Sequence, residues 1–146
     1  MSWWTYVVGN VVIDTHSGNE SEQSVKEFLE SLPETSGSEM PCQYYVNILN
    51  GYNVSDYIDG KHSEYQTKYS ISIVGHLRDA FADVVREELL NILKKIHVDK
   101  WDIDMCSICV FDYSHVINFK KEFCQNELTY VTECDGKETT EVIELE

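Results

Sequence analysis

The stretch LRDAFADVVREELLNILKKI, residues 77–96, decides the fold. Leu77, Phe81, Val84, Val85, Leu89, Ile92, Leu93 and Ile96 recur at three- and four-residue spacing, which puts them on one stripe of a five-turn helix. Lys94 and Lys95 fall where cations favour the negative end of the helix dipole. On both sides of this helix the period changes to two. Before it, TKYSISIVG (67–75) sets Thr67, Tyr69, Ile71 and Ile73 on one strand face. After it, KWDIDMCSICVFDY (100–113) alternates Trp101, Ile103 and Met105 with Asp102 and Asp104, then turns apolar on both faces, the pattern of a strand in mid-sheet.

Further out, CQYYVNIL (42–49) alternates again and ends at the turn signal Asn50-Gly51. The polar, tyrosine-dotted 52–65 reads as a long loop or irregular hairpin arm. Val25, Phe28, Leu29 and Leu32 give a first helix of three turns between Ser21 and Pro33, capped by Ser21 or Ser24, with Ser24-x-x-Glu27 resembling a capping box. Glu20, Glu27 and Glu30 lie opposite its apolar stripe and are expected in solvent. The aromatic, β-branched SWWTYVVGNVVID (2–14) reads as one long strand with a bulge at Gly9. After HVINFKKEF (115–123), ELTYVTEC and TTEVIELE flank Asp135-Gly136, a hairpin signal. The order β-α-β-β-α-β plus a terminal hairpin predicts an α+β, ferredoxin-like sandwich, two helices on one face of a mostly antiparallel sheet. At 146 residues, with no linker or repeat, the chain reads as one domain, 1–146, with the hairpin 127–146 either part of it or an appendage.

Charge is the strongest global signal: 26 acids against 11 bases give a net −15. Residues 1–60 hold nine acids and one base, Lys26, a net of −8. Such a field repels nucleic acid, anionic membranes and ATP-like ligands unless a basic patch or a metal intervenes. With no charged, apolar leader and no run of about 18 apolar residues, neither a signal peptide nor a membrane span is expected. Five cysteines, an odd number, then read as reduced thiols in a cytoplasmic protein, and the sequons at Asn19 and Asn53 carry no meaning there.

No catalytic or metal constellation stands out. Cys106 and Cys109 form a lone C-x-x-C whose members point to opposite faces of a strand, so core filling is favoured. The histidines at 16, 62, 76, 97 and 115 have no ligand spacing, and surface or capping roles are favoured over a catalytic base. Asp79, Asp83 and Glu87 read as a solvated helix face before a hard-cation site, and Asp102, Asp104 and Asp112 as outward charges that resist sheet aggregation. No phosphate-cradling glycine loop and no nucleophile elbow occurs. An enzyme is therefore not expected, nor a cofactor or bound metal.

What remains is the acidic set Glu20, Glu22, Glu27, Glu30, Glu34 and Glu39, joined by Asp14, Asp56 and Asp59. A solvated surface is the plain reading, but Lys26 alone cannot balance it, and like charges cost stability. A basic partner would repay that cost. Trp3-Trp4-Thr5-Tyr6 with Gly9, Leu32-Pro33 followed by Gly37-Ser38-Glu39-Met40, and Gly75-His76-Leu77-Arg78-Asp79 resemble stretches of small phage and prophage proteins of Gram-positive bacteria over roughly positions 1–113. The resemblance carries no active-site residues. It implies an inhibitor of host defence, an anti-CRISPR or similar, that covers the basic nucleic-acid-binding surface of a host defence factor in the bacterial cytoplasm. Those carboxylates would steer the encounter, and Tyr52, Tyr57 and Tyr65 are the candidate anchors. Alternatives are an immunity-type protein neutralising a basic toxin nuclease, a protein that sequesters or hydrolyses a small nucleotide, and a structural phage component. Monomer and homodimer both remain open.

Overall fold

A computed structural model describes residues 3–16, 20–49, 53–58, 61–66 and 68–145, with 53–58 and 61–66 as backbone alone. In chain order the elements are β1 (Trp4–Asp14), α1 (Glu22–Ser31), β2 (Gln43–Ile48), β3 (Asn53–Ile58), β4 (Lys61–Gln66), β5 (Lys68–Arg78), α2 (Ala82–Asp99), β6 (Asp102–Phe111), β7 (His115–Lys121), β8 (Glu127–Cys134) and β9 (Lys137–Glu144). Seven strands form one antiparallel sheet in the order β2-β5-β1-β6-β7-β8-β9, while β3 and β4 pair as a separate hairpin. The chain is thus α+β, with two helices and a seven-stranded antiparallel sheet. That order differs from a four-stranded ferredoxin-like sheet, because the tail adds three strands beyond β6.

Period two sorts the side chains. Val7, Val11 and Ile13 of β1, Tyr69, Ile71, Ile73 and Leu77 of β5, and Cys106, Ile108 and Val110 of β6 share one face and are buried. Val25 and Leu29 of α1 and Val85, Leu89, Leu93 and Ile96 of α2 join the same apolar cluster, so both helices cover that face. Each such side chain contributes about 1.5–3 kcal/mol by leaving water.

Two local expectations change and two open readings are decided. Gly9 is not a bulge: β1 pairs without a break past it, opposite Ile73 on one side and Ile108 on the other. A Cβ there would lie 2.5 Å from the Ile108 Cα and 2.6 Å from the Ser107 carbonyl oxygen, so the glycine permits a close approach of β6. The bulge lies on β6, where Met105 faces Val12 and Ile103 faces Ile13, leaving Asp104 unmatched. Second, α2 starts at Ala82 and not at Leu77. The β1–β5 ladder holds residues up to Arg78, and Asp79 turns the chain at φ 61° with its amide donating to the Trp3 carbonyl at 2.6 Å. Leu77 therefore points into the core from a strand. Third, 53–58 and 61–66 pair as the β3–β4 hairpin, the second of the two readings for that segment. Fourth, the terminal hairpin continues the sheet: β8 pairs with β7, and Leu128, Tyr130 and Leu145 join the core. Its turn places Asp135 (φ 52°) and Gly136 (φ 76°) in the left-handed region, as a type I′ turn requires.

The Gly9→Ala variant should lose about 1–3 kcal/mol of stability by overpacking against backbone that cannot retreat. Urea unfolding followed by circular dichroism measures this, and an unchanged midpoint would show that β6 has room to shift.

Candidate functional site

The acidic residues divide once the fold is formed. Ser21 caps α1: its hydroxyl accepts from the Ser24 amide at 3.1 Å, while the Ser24 hydroxyl accepts from the Ser21 amide at 2.8 Å. The capping box is closed by Ser24 and not by Glu27. Glu20 accepts from the Ser24 hydroxyl at 2.7 Å, and its carbonyl accepts from the Tyr69 hydroxyl at 2.6 Å. Glu22 accepts from the Ile48 amide at 3.4 Å. These two fasten the start of α1 to the sheet. Glu39 binds Arg78 at 2.8 Å. Glu27, Glu30 and Glu34 are left facing outward, with Lys26 4.0 Å from Glu30 and Gln23 donating to Glu27 at 3.2 Å. Glu30 and Glu34 also border a cleft of about 320 Å³ between α1 and β2. Asp56, Tyr57 and Tyr65 fall in the β3–β4 hairpin, whose side chains are outside the described residues, and Tyr52 and Asp59 are outside them altogether.

Several other titratable groups are structurally engaged. Asp14, Asp102 and Asp104 meet at the bulged end of the sheet. Lys68 Nζ lies 2.6 Å from Asp104 and 3.7 Å from Asp14, and His16 Nε2 lies 2.7 Å from Asp102. The hydrogen bond that His16 donates to Asp102, with the nearby carboxylates, raises the His16 pKa against a smaller opposing effect of burial. His97 Nδ1 accepts from the Ile103 amide at 3.1 Å, so its proton sits on Nε2. Asp79 lies in the turn before α2, so no Asp79–Asp83 helical pair exists. Cys106 is 3% exposed on the covered face, where burial pushes its thiol to about 12, while Cys109 points to the opposite face. Among the described residues no group of three or more His, Cys, Asp and Glu side chains is placed to hold a metal. No helix there is long and apolar enough to cross a membrane.

Ser114, His115 and Asp112 are the residue types of a hydrolytic triad, but their geometry is that of a turn. The Ser114 hydroxyl and the Asp112 carboxylate approach the same ring nitrogen, His115 Nδ1, at 3.0 and 3.2 Å. A relay needs the two on opposite nitrogens. Asp112 instead receives the amides of Ser114 (2.9 Å), His115 (2.7 Å) and Ala82 (3.3 Å). It thereby caps α2, whose own N-cap, Phe81, has no side-chain acceptor. Burial would raise this carboxyl, yet the three amides outweigh it and hold it below the usual carboxylate range.

The opposite face of the sheet presents the feature that tyrosine counting missed. β1 shows Tyr6, Val8, Asn10 and Val12; β5 shows Ser70, Ser72, Val74 and His76 beside them; β6 shows Met105, Ser107, Cys109 and Phe111. β2 adds Gln43, Tyr45 and Asn47, and β7 adds Val116, Asn118 and Lys120. Four rings form a row across three strands: Trp4 on His76 at 4.1 Å, His76 on Tyr6 at 4.6 Å, and Tyr6 on Phe111 at 5.2 Å. The signal for this row was Trp4-x-Tyr6-x-Val8, an apolar second face on a strand whose first face was already apolar.

No family model, no curated protein and no solved structure matches this chain.

Asp112→Ala should lose about 1–3 kcal/mol at neutral pH, because three amides, two of them in one turn, lose their acceptor. A lowered folded-state pKa stabilises above the ordinary carboxylate range and is lost as pH falls through the lowered value, so wild-type and variant urea midpoints should separate above about pH 5 and converge in acid. His16→Gln should show the reverse. The raised pKa stabilises below about 6.5 and the effect vanishes as pH rises through the folded value, so the variant should be weaker near pH 6 and equal to wild type near pH 9.

Proposed function

We propose that this chain is a phage-encoded acidic binding protein that inhibits a host defence factor, an anti-CRISPR or similar, by occupying the factor's basic nucleic-acid-binding surface. The observation that carries this reading is the outward side of α1 and the turn after it. Glu27, Glu30 and Glu34 are exposed there, with Lys26 4.0 Å from Glu30 and Lys100 held over the Phe28 ring of the same helix. An exposed pair 4.0 Å apart is worth about 0–1 kcal/mol and leaves the negative field standing. Carboxylates displayed in this way can take the positions of backbone phosphates in a lysine- and arginine-lined groove, and they act chiefly on the rate of encounter. The absence of a relay at Ser114, His115 and Asp112 supports a binder over a hydrolase. Glu20, Glu22 and Glu39 serve this surface only indirectly, since each already holds a partner within the chain. We also read β2-β5-β1-β6 with α1 and α2 as a ferredoxin-like core to which the tail adds strands.

Pull-down from a bacterial host lysate, with mass spectrometry, should recover a basic nucleic-acid-handling protein whose binding weakens steeply between about 50 and 500 mM salt. Changing Glu27, Glu30 and Glu34 together to lysine should slow association at low salt by about tenfold or more. An association rate unmoved by that triple change removes the steering role, and recovery of a basic toxin nuclease would favour the immunity reading.

A further inference from the structure

We propose that two copies of this chain associate face to face through the open side of the sheet, forming a two-fold β-sandwich with the helices outermost. This inference does not rest on the proposed function.

The first observation is the composition of that face. An antiparallel sheet with one side in water ordinarily shows polar residues there. Here Val8 is 54% exposed, Met105 49% and Val74 46%, with Tyr45 and Phe111 also exposed. Val8 lies in register with Val74 on one side and Cys109 on the other, next to the row of Tyr6 and Phe111, while Ser72, Asn10 and Ser107 stand between this patch and Val12 with Met105.

The second observation identifies the occupant. The chain carries 26 acids against 11 bases. Yet among the described residues no carboxylate projects from this face of β2, β5, β1, β6 or β7 between the rows of Tyr6 and Val12; Lys120 stands there as an ion pair with Glu122, just past the end of β7, at 3.2 Å. Asp14 closes one end and is held by Lys68 at 3.7 Å. A second −15 molecule meets like charge on the exposed acids of α1, of the β8–β9 end and of the bulged end at Asp14 and Asp102, but not in the middle rows of this face. The surface is electrically suited to itself.

The third observation is size. Five strands about 4.8 Å apart, over the seven residues from Tyr6 to Val12 at about 3.3 Å each, span roughly 24 by 23 Å, on the order of 550 Å² in projection, against about 800 Å² per partner in a standard interface. Side-chain relief adds to the projected area, and Thr129 and Val131 of β8 extend the face beyond Lys120 and Asn118. Two such sheets pack about 10 Å apart at roughly −30°, a spacing that the Tyr6, Val8 and Met105 side chains can fill. The carboxylates of α1 then lie on the outer layers, where solvent and salt screen them.

The test is sedimentation equilibrium of the full chain from about 1 to 100 μM at 50 and 500 mM sodium chloride. The expected result is a dimer that tightens with salt, because the residual repulsion between −15 bodies is screened; this is the opposite of the salt response expected for a cationic partner. Val8→Glu places a carboxylate near the centre of both copies and should weaken the dimer at least 30-fold. Since Val8 is exposed, the monomer should keep its circular dichroism and unfolding midpoint. Met105→Glu should act alike, and the triple lysine variant of Glu27, Glu30 and Glu34 should leave the dimer intact. A monomer at 100 μM in both salts overturns the proposal, as does association that survives both Val8→Glu and Met105→Glu.

Discussion

Two helices cannot cover both faces of a seven-stranded sheet, and most of this molecule follows from that constraint. Because α1 and α2 lie on the same side, every strand from β2 to β8 must sort its residues by parity. The covered side draws the large aliphatic residues of β1, β5 and β6 into one cluster with the helices. A slip of one residue in any central strand would send that set into water, so the register is strongly specified where the helices lie. Gly9 and Gly75 mark where the layer is tightest. The first allows the backbone of β6 to approach, and the second leaves room for Cys42, whose sulfur would stand 2.6 Å from an added Cβ.

The same constraint explains how far the sequence could be read. Long elements with a clean period were legible: α2 through Ile96, the alternation of β5, the mid-sheet place of β6, and the hairpin at Asp135-Gly136. Boundaries set by distant contacts were not. Leu77 fits a helical stripe as well as a strand, and only its ladder with Thr5 decides between them. The cap of α2 comes from Asp112, thirty residues away, a relation that no local motif encodes. Gly9 signals a close approach as readily as a bulge, and the bulge itself, at Asp104, carries no glycine to announce it.

Site residues were harder still, since composition reports how many charges a chain has and not what each one meets. Glu20, Glu22 and Glu39 belong to the acidic run in sequence, yet in the fold they serve a helix start, a strand edge and an arginine. Counting tyrosines drew attention to 52–65 and away from Trp4, Tyr6, His76 and Phe111, which only the pairing of three strands brings into one row. Apolar residues on both faces of β6 suggested burial on both sides; the structure covers one and leaves Met105 and Phe111 exposed on the other.

The distribution of carboxylates on the strands bears on whether the neutral face is an accident of strand chemistry. Directly opposed residues in an antiparallel pair stand about 4.5–5.5 Å apart, and like charges there are destabilising. If this chain simply avoided acids on strands, β8 and β9 should lack them too. They do not: Glu127 faces Glu144 and Glu133 faces Glu138, two like-charged pairs on the same side of the sheet as Val8 and Met105. The molecule therefore accepts opposed carboxylates at the far end of the sheet, and again at the bulged end where Asp14 faces Asp102, while the rows of its central strands from Tyr6 to Val12 carry serine, asparagine, valine and aromatic rings on that side. Solubility would favour the reverse, with charge placed over the widest exposed apolar surface. A neutral centre beside a charged margin is the arrangement of an interface, with the core dry and the rim in water.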